Sequence, residues 1–300
     1  MRILVIGEPC IDVIHKADGT VYNEHGGISY SVTASCLLGD GIETIPVIGL
    51  GREDRAYFHG LFAHLDGLDL SAVYESSIPT RRVDLFYEDE NKRWECSTQP
   101  IEPTPFERIE PFLHAEGIHV NLISGWDITL ETLGRIRTAA PNCHIHLDLH
   151  NIVMQHFPDG KRVRGPREDY LAWCDYADTV QLNEDEAEVI DATSHDHRNL
   201  AEKILGTKAK AVVISLAEKG LLLYDKTNGN IKEHFFPARQ TTVVDPTGSG
   251  DVFGTTFLHS VILGKSYVQA AEAGIEMAVR KVGVAGPGGL INLKRDGAHV

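Results

Sequence analysis

Short apolar runs bounded by turn residues alternate with amphipathic stretches along most of this chain. Residues 3–7, 44–49, 118–124, 144–149, 179–182 and 211–216 have the length and composition of buried strands. Between them, residues 31–38, 57–65, 130–138, 184–190, 199–205, 251–263 and 268–282 carry helical periodicity. The alternation predicts an α/β fold, a mostly parallel sheet with helices on both faces, in which ligands gather at the carboxyl ends of the strands. One region departs from it. Residues 81–87 and 93–96 flank a polar turn at 88–92 with no helix between them, as in a hairpin. Together with the alternating residues 12–22 this hairpin predicts a small second sheet standing off the main one. No repeat, low-complexity tract or long linker divides the chain, so residues 1–300 are expected to form one domain.

Composition narrows the function classes. Apolar residues make up 42% and charged residues 24%, ordinary for a soluble globular protein. No apolar run approaches the roughly 18 residues that span a membrane. Residues 1–7 run straight into Glu8 and Asp12, which suits a first buried strand better than a signal peptide and predicts a cytoplasmic protein. The five cysteines are scattered and form no C-x-x-C pair, which argues against a disulfide framework and a thiolate zinc site. With 28 basic and 43 acidic residues the net charge is −15, so nucleic acid is an unfavourable partner and any phosphate must be held locally.

The most informative stretch runs from Thr242 to Phe253: a strand-like segment, the small-residue turn Asp245-Pro246-Thr247-Gly248-Ser249-Gly250, then a helical pattern opening at Asp251. The N–H groups of Gly248, Ser249 and Gly250 would lie at a helix start, where the macrodipole favours an anion. Asp251 follows at once and could take a proton from an alcohol while that turn stabilises a transferring phosphoryl group. Spacing alone also fits a glycine-rich N-cap whose Asp merely complements the dipole.

The turn resembles the D-T-x-G-A-G-D signature of the ribokinase and phosphofructokinase-B (pfkB) family. Other landmarks of that family stand in order along the chain: Gly7-Glu8 followed by Asp12, Gly26-Gly27 before a helix and Leu38-Gly39, Gly49-x-Gly51-x-x-Asp54, Asn183-x-x-Glu186, and Ser215-Leu216-Ala217-Glu218-Lys219-Gly220. The resemblance implies a ribokinase-like three-layer α/β/α sandwich with a small β-sheet lid, formed by residues 12–25 and 79–99. It implies a kinase moving the γ-phosphoryl group of ATP, with Mg²⁺, to a hydroxyl of a sugar, polyol or nucleoside. Asp251 then matches the catalytic base, and Gly248, Ser249 and Gly250 the anion hole. Asp12, Gly26 and Gly27 match positions that hold acceptor hydroxyls, and Ser31 or Tyr30 stands near the family's substrate-touching Asn. Asn183 and Glu186 match the pair that organises Mg²⁺ through water, and Ser215, Ala217 and Gly220 lie where the nucleotide rests. Asp245 and Thr247 match a K⁺ site of several relatives, and the lid is a dimer interface in others. The run Gly26-Gly27-Ile28-Ser29-Tyr30 resembles inositol and nucleoside kinases of the family.

Other patterns compete. Gly264-Lys265-Ser266 lacks the upstream glycine of a phosphate loop, and Gly248-x-Gly250 lacks the third glycine of a dinucleotide fingerprint. His144, His146, Asp148 and His150 alternate along a strand and could form a metal cup, so a metal-dependent hydrolase is the alternative from another class. A non-catalytic sugar- or nucleotide-binding relative is a further one.

Overall fold

A computed structural model describes residues 1–39, 41–87, 93–97, 102–157, 162–194, 196–227 and 229–295. Its first third contains β1 (Arg2–Ile6), β2 (Pro9–His15), β3 (Val21–Gly27), α1 (Ser29–Leu38), β4 (Glu43–Val47), β5 (Gly49–Leu50), α2 (Arg55–Phe62), β6 (Tyr74–Glu75), β7 (Arg81–Tyr87) and β8 (Arg93–Cys96). There follow α3 (Phe106–Ile109), β9 (Gly117–Asn121), α4 (Leu130–Ala139), β10 (His144–Asp148), β11 (Met154–His156), β12 (Arg162–Arg164), α5 (Tyr170–Cys174), β13 (Thr179–Asn183), α6 (Glu184–Ile190) and α7 (His197–Leu205). The chain closes with β14 (Ala211–Ser215), β15 (Gly220–Thr227), β16 (Asn230–Pro237), α8 (Ser249–Ile262), α9 (Tyr267–Val282) and α10 (Gly286–Arg295).

Eight strands form the main sheet in the order β16-β15-β14-β13-β10-β9-β1-β4. The pairs from β14 to β4 are parallel, and β15 and β16 add an antiparallel edge. Strand β1 shows why a parallel strand reads as one unbroken apolar run. Leu4 and Ile6 join a core with Ile118, Leu133 and Ile204 on one face, while Ile3 and Val5 join Phe58 and Leu258 on the other. Helices cover both faces, which makes the three layers expected from the sequence.

The smaller sheet runs β3-β2-β7-β8, with β2 and β7 parallel. It occupies the residues expected for a lid, except that β2 begins at Pro9 and β3 runs on to Gly27. Residues 88–92, 98 and 99 of that expectation lie outside the described residues. The antiparallel pair β15–β16 and helix α10 go beyond the sequence reading. Within the first, β16 carries only half-exposed and exposed side chains, and the second opens with Gly-Pro-Gly-Gly and is held by burial of Leu290 and Ile291. All five cysteines are free thiols. Among the described residues no helix is long and apolar enough to cross a membrane.

Candidate active site

Helix α8 points its first turn at the carboxyl ends of β9, β10 and β13. Three polar residues sit side by side in register there: Asn121, Asp148 and Gln181. Strand alternation turns this row, and the row of His119, His146 and Thr179 two residues earlier, toward α8. Gly254 lets the helix come this close, since a Cβ there would lie 2.6 Å from Gln181 Oε1 and 3.0 Å from His146 Nε2. Gln181 Nε2 donates both to Asp148 Oδ2 and to the Gly250 carbonyl, each at 2.9 Å, and so fixes the helix start to the sheet.

The turn before α8 depends on glycine. Gly248 has φ +78°, and an added Cβ would lie 2.3 Å from the Tyr30 ring. The Ser249 N–H is donated to the Pro246 carbonyl at 3.2 Å, so it belongs to the turn more than to an anion site. Those of Gly250 and Asp251, at the second and third helical positions, precede the first intrahelical acceptors. The tip is half-buried, and a Cβ on Gly250 would meet only Gln181 Nε2 within 4 Å, at 3.7 Å.

Asp251 Oδ1 accepts from Asn121 Nδ2 at 2.6 Å. Burial raises its pKa above the usual carboxylate range; the nearby Glu186 charge adds to this, while His150 and the Asn121 amide oppose it. Asp148 is pushed the same way, chiefly by burial. His150 lies among these carboxylates at φ +35°, with Nδ1 3.4 Å from Glu186 Oε1. Burial alone would lower its pKa, but Glu186, Asp251 and Asp148 outweigh it and raise the value to about 10. Asn183 and Glu186 form a reciprocal cap on α6: Asn183 Oδ1 accepts from the Glu186 N–H at 2.9 Å, and Glu186 Oε2 accepts from the Asn183 N–H at 2.8 Å. Asp148, Asn183, Glu186 and Asp251 therefore offer oxygen ligands of the kind a hard divalent cation takes.

At the residues matched to acceptor-holding positions, Asp12 is buried on β2 opposite Glu24, with the Cys10 thiol 3.3 Å from its Oδ1. A Cβ on Gly26 would lie 2.4 Å from the Asp12 carboxylate oxygens, and one on Gly27, at φ +57°, 2.4 Å from the Glu8 carbonyl. The glycine pair is needed for β3 to pack against β2 and Asp12. Ser31 is fully buried inside α1 and its hydroxyl has no hydrogen-bond partner, so it presents no open surface to an acceptor in this conformation. Tyr30 packs against Gly248 instead. Of the aromatic residues on the small sheet, Tyr87 joins Cys10, Val83 and Leu85 on one face, whereas Phe86 stacks on His15. The Trp94 side chain lies outside the described residues.

Beneath the same sheet lies a charge cluster that sequence reading did not find. Arg81 Nε is 3.1 Å from Glu8, and Arg162 Nη1 is 2.7 Å from Glu95. Both guanidinium groups are buried, and Arg81 Nη1 and Arg162 Nε and Nη2 have no partner among the described residues. Burial raises the Glu8 pKa to about 7 although Arg81 opposes it. Asp127, which accepts from the N–H groups of Glu8, Ser124 and Gly125, closes this corner. A cavity of about 220 Å³ beside it is lined by Glu8, Thr80, Arg81, Asp127 and Tyr74.

At the residues matched to nucleotide-binding positions, Ser215 ends β14 directly beside Asn183 in register. Ala217 adopts φ +50° where the family pattern has glycine, and Gly220 has φ +124° with the Phe236 carbonyl 2.0 Å from any added Cβ. Asp245 Oδ1 accepts from the Thr247 N–H at 2.9 Å, while its Oδ2 lies 3.2 Å from the Lys281 ammonium.

The histidine strand forms no metal cup. His144 and His146 both contact Thr179 Oγ1, at 3.2 and 2.8 Å, and His146 also contacts Gln181 Oε1. Burial lowers the His144 pKa to about 4 and the His146 pKa well below the usual value, so both are neutral packing groups. Among the described residues, no group of three or more His, Cys, Asp or Glu side chains is placed to hold a metal by direct ligation. A divalent ion at Asp148 and Glu186 would therefore bind largely through water and donor phosphates.

A family model described as pfkB family carbohydrate kinase matches residues 132–292. A cytidine kinase of Thermococcus kodakarensis is 26% identical over 287 residues, which cover 93% of this chain and 95% of that protein. Among solved structures, a pyrophosphate-dependent kinase in the ribokinase family superposes with TM-score 0.80 at 22% identity, covering 98% and 99% of the two chains. A ribokinase from Thermotoga maritima gives TM-score 0.69 at 20% identity, with 98% and 99% coverage. These structural likenesses establish the fold.

Proposed function

Since the chain belongs to the pfkB family of carbohydrate kinases, and so is a phosphotransferase acting on a hydroxyl of a sugar-like or nucleoside acceptor, we propose that Asp251 is its base and ATP its phosphoryl donor. One observation carries this reading: the Asp251 carboxylate stands beside the Gly250 N–H at the α8 tip, at the carboxyl ends of β9, β10 and β13. That N–H and the dipole behind it are aimed where negative charge accumulates on the migrating phosphoryl group. Loss of one such donor typically costs about 3 to 4 kcal/mol of transition-state stabilisation.

Asp12 and the Gly26-Gly27 backbone hold the acceptor, and the small sheet acts as a lid that excludes water. Asp251 takes the proton as the acceptor oxygen attacks the γ-phosphorus; the bond from that phosphorus to the β,γ-bridging oxygen breaks, and ADP leaves with its electron pair. Its raised pKa makes it a better base than an ordinary carboxylate once ionised. Mg²⁺, when bound, neutralises charge on the donor phosphates, and Asp148, Asn183 and Glu186 are the residues that would hold it through water. Ser215, Ala217 and Gly220 border the nucleotide, and Asn121 keeps Asp251 oriented.

A donor-consumption screen over sugars, polyols and nucleosides tests the reading, run in parallel with ATP and with pyrophosphate because one structural neighbour is described as pyrophosphate-dependent. Mg²⁺-dependent ADP formation with a nucleoside or polyol is the expected result. Phosphate release with pyrophosphate alone would replace the donor, and no consumption beside intact binding of both ligands would leave a non-catalytic relative.

A further inference from the structure

Lys281, on the last turn of α9, has no exposed surface at all. Its ammonium donates to the Asp245 carbonyl at 2.9 Å, to Asp245 Oδ2 at 3.2 Å and to the Val284 carbonyl at 3.0 Å. An ammonium group carries three N–H bonds, and three oxygens receive them, so its hydrogen-bonding capacity is filled. The Tyr30 ring caps the group, its centroid 5.3 Å from Nζ. Two backbone carbonyls, a carboxylate and an aromatic face form a cage of the kind that suits a small monovalent cation. Here the cation is part of the chain.

Two routes run from this cage to the α8 tip. Through the backbone, Asp245 Oδ1 accepts from the Thr247 N–H and Oδ2 from the Gly286 N–H, which fixes the residues immediately before Gly248. Through packing, the Tyr30 ring that covers the ammonium also lies against Gly248. The N–H groups of Val244 and Asp245 both donate to the Val282 carbonyl, so the end of α9 and the loop into α8 move as one piece.

The resemblance noted from the sequence carries K⁺ at Asp245 and Thr247. The structure does not suit a second cation there. Both Asp245 oxygens that face inward are engaged by Lys281, and an ion sharing them would meet a like charge within a few ångströms in a buried setting. We propose that the Lys281 ammonium is a permanent, tethered replacement for that ion, making Lys281 a positioning residue for the phosphoryl-accepting turn and the enzyme independent of monovalent cations. This rests on the active-site reading above. Glu24, whose side chain lies where a Cβ on Gly286 would fall, 2.9 Å from its Cδ, adds a second carboxylate to the surroundings and favours a fixed positive charge.

The test uses the full chain at constant ionic strength in potassium, sodium or choline chloride. The parent enzyme is expected to show the same kcat, within about twofold, in all three salts. Lys281→Met is expected to lose at least roughly tenfold in kcat with a smaller change in acceptor KM, and to recover part of it in potassium but not in choline. Its melting temperature is expected to be higher in potassium than in choline, while that of the parent is equal in both. Potassium activation of the parent by several-fold, or a potassium-specific rise in its melting temperature, overturns the proposal. So does a folded Lys281→Met with parental kcat in choline. If that variant does not fold, the parent in three salts still decides. The melting comparison needs no turnover, so failure of the kinase reading would leave it interpretable.

Discussion

The tip of α8 and the underside of the small sheet both gather polar groups, yet they are built differently. At the α8 tip one short segment, Gly248 to Asp251, supplies both the N–H groups and a carboxylate, and the row Asn121, Asp148, Gln181 holds it in place. Under the small sheet no segment dominates: Glu8, Arg81, Glu95, Asp127 and Arg162 come from five separate stretches and meet only in the folded chain. The chemical step needs fixed geometry over a few ångströms, which contiguous residues give directly. The groups under the small sheet form a surface instead, which topology assembles from distant residues.

The contrast predicts that changes at the tip act on turnover and changes under the small sheet act on acceptor affinity. The largest effect is expected at Gly248. Gly248→Val must adopt φ +78° and displace the Tyr30 ring, which disturbs the anion turn. Turnover should fall about 10²- to 10³-fold, comparable to losing an anion donor, with a lower melting temperature. Parental kinetics in this variant would break the contrast at its firmest point. A smaller effect is expected at Arg81, whose buried Nη1 has no partner among the described residues. Arg81→Met should raise acceptor KM by roughly tenfold to a hundredfold, the scale of a hydrogen bond to a charged group, and leave kcat within a few-fold. A pure kcat effect would move Arg81 from recognition to the chemical step.

The pH dependence is the mildest test. The pKa of Asp251 is raised in the fold, so the folded state binds its proton more readily than the unfolded chain, and activity should decline on the acid side at a higher pH than for an ordinary carboxylate. His150 works in the opposite direction for stability. Its folded pKa of about 10 lies above the unfolded value near 6.5, so its contribution is complete below about pH 6.5 and is lost as pH rises through about 10. Thermal melts of the parent and of His150→Gln between pH 6 and 10 should therefore converge toward the alkaline end. Curves that stay parallel would remove the imidazolium from the account.

Much of the fold is legible in the sequence. Parallel strands buried on two faces produce unbroken apolar runs, so the six parallel strands of the main sheet follow from sequence alone. Polar residues inside such runs, His119 and Asn121, His146 and Asp148, Thr179 and Gln181, were visible as breaks in the apolar pattern. Their cause was not, because it lies in α8, more than a hundred residues after His119. The β15–β16 edge was missed because one side of β16 faces solvent and lacks a continuous apolar signal. The α10 segment was missed because its opening glycines and proline disfavour a helix locally and only packing of Leu290 and Ile291 offsets that. Ser31 stands after the glycine pair where a substrate contact is expected, but α1 is buried all round and its hydroxyl with it.

The central claim is that Asp251 removes the acceptor proton beside the α8 tip. Rapid-quench phosphoryl transfer by Asp251→Asn, with donor and acceptor both saturating, measures that step alone. The account predicts a rate at least roughly 10²-fold below the parent with binding of both ligands retained. A transfer rate close to the parental one would contradict it.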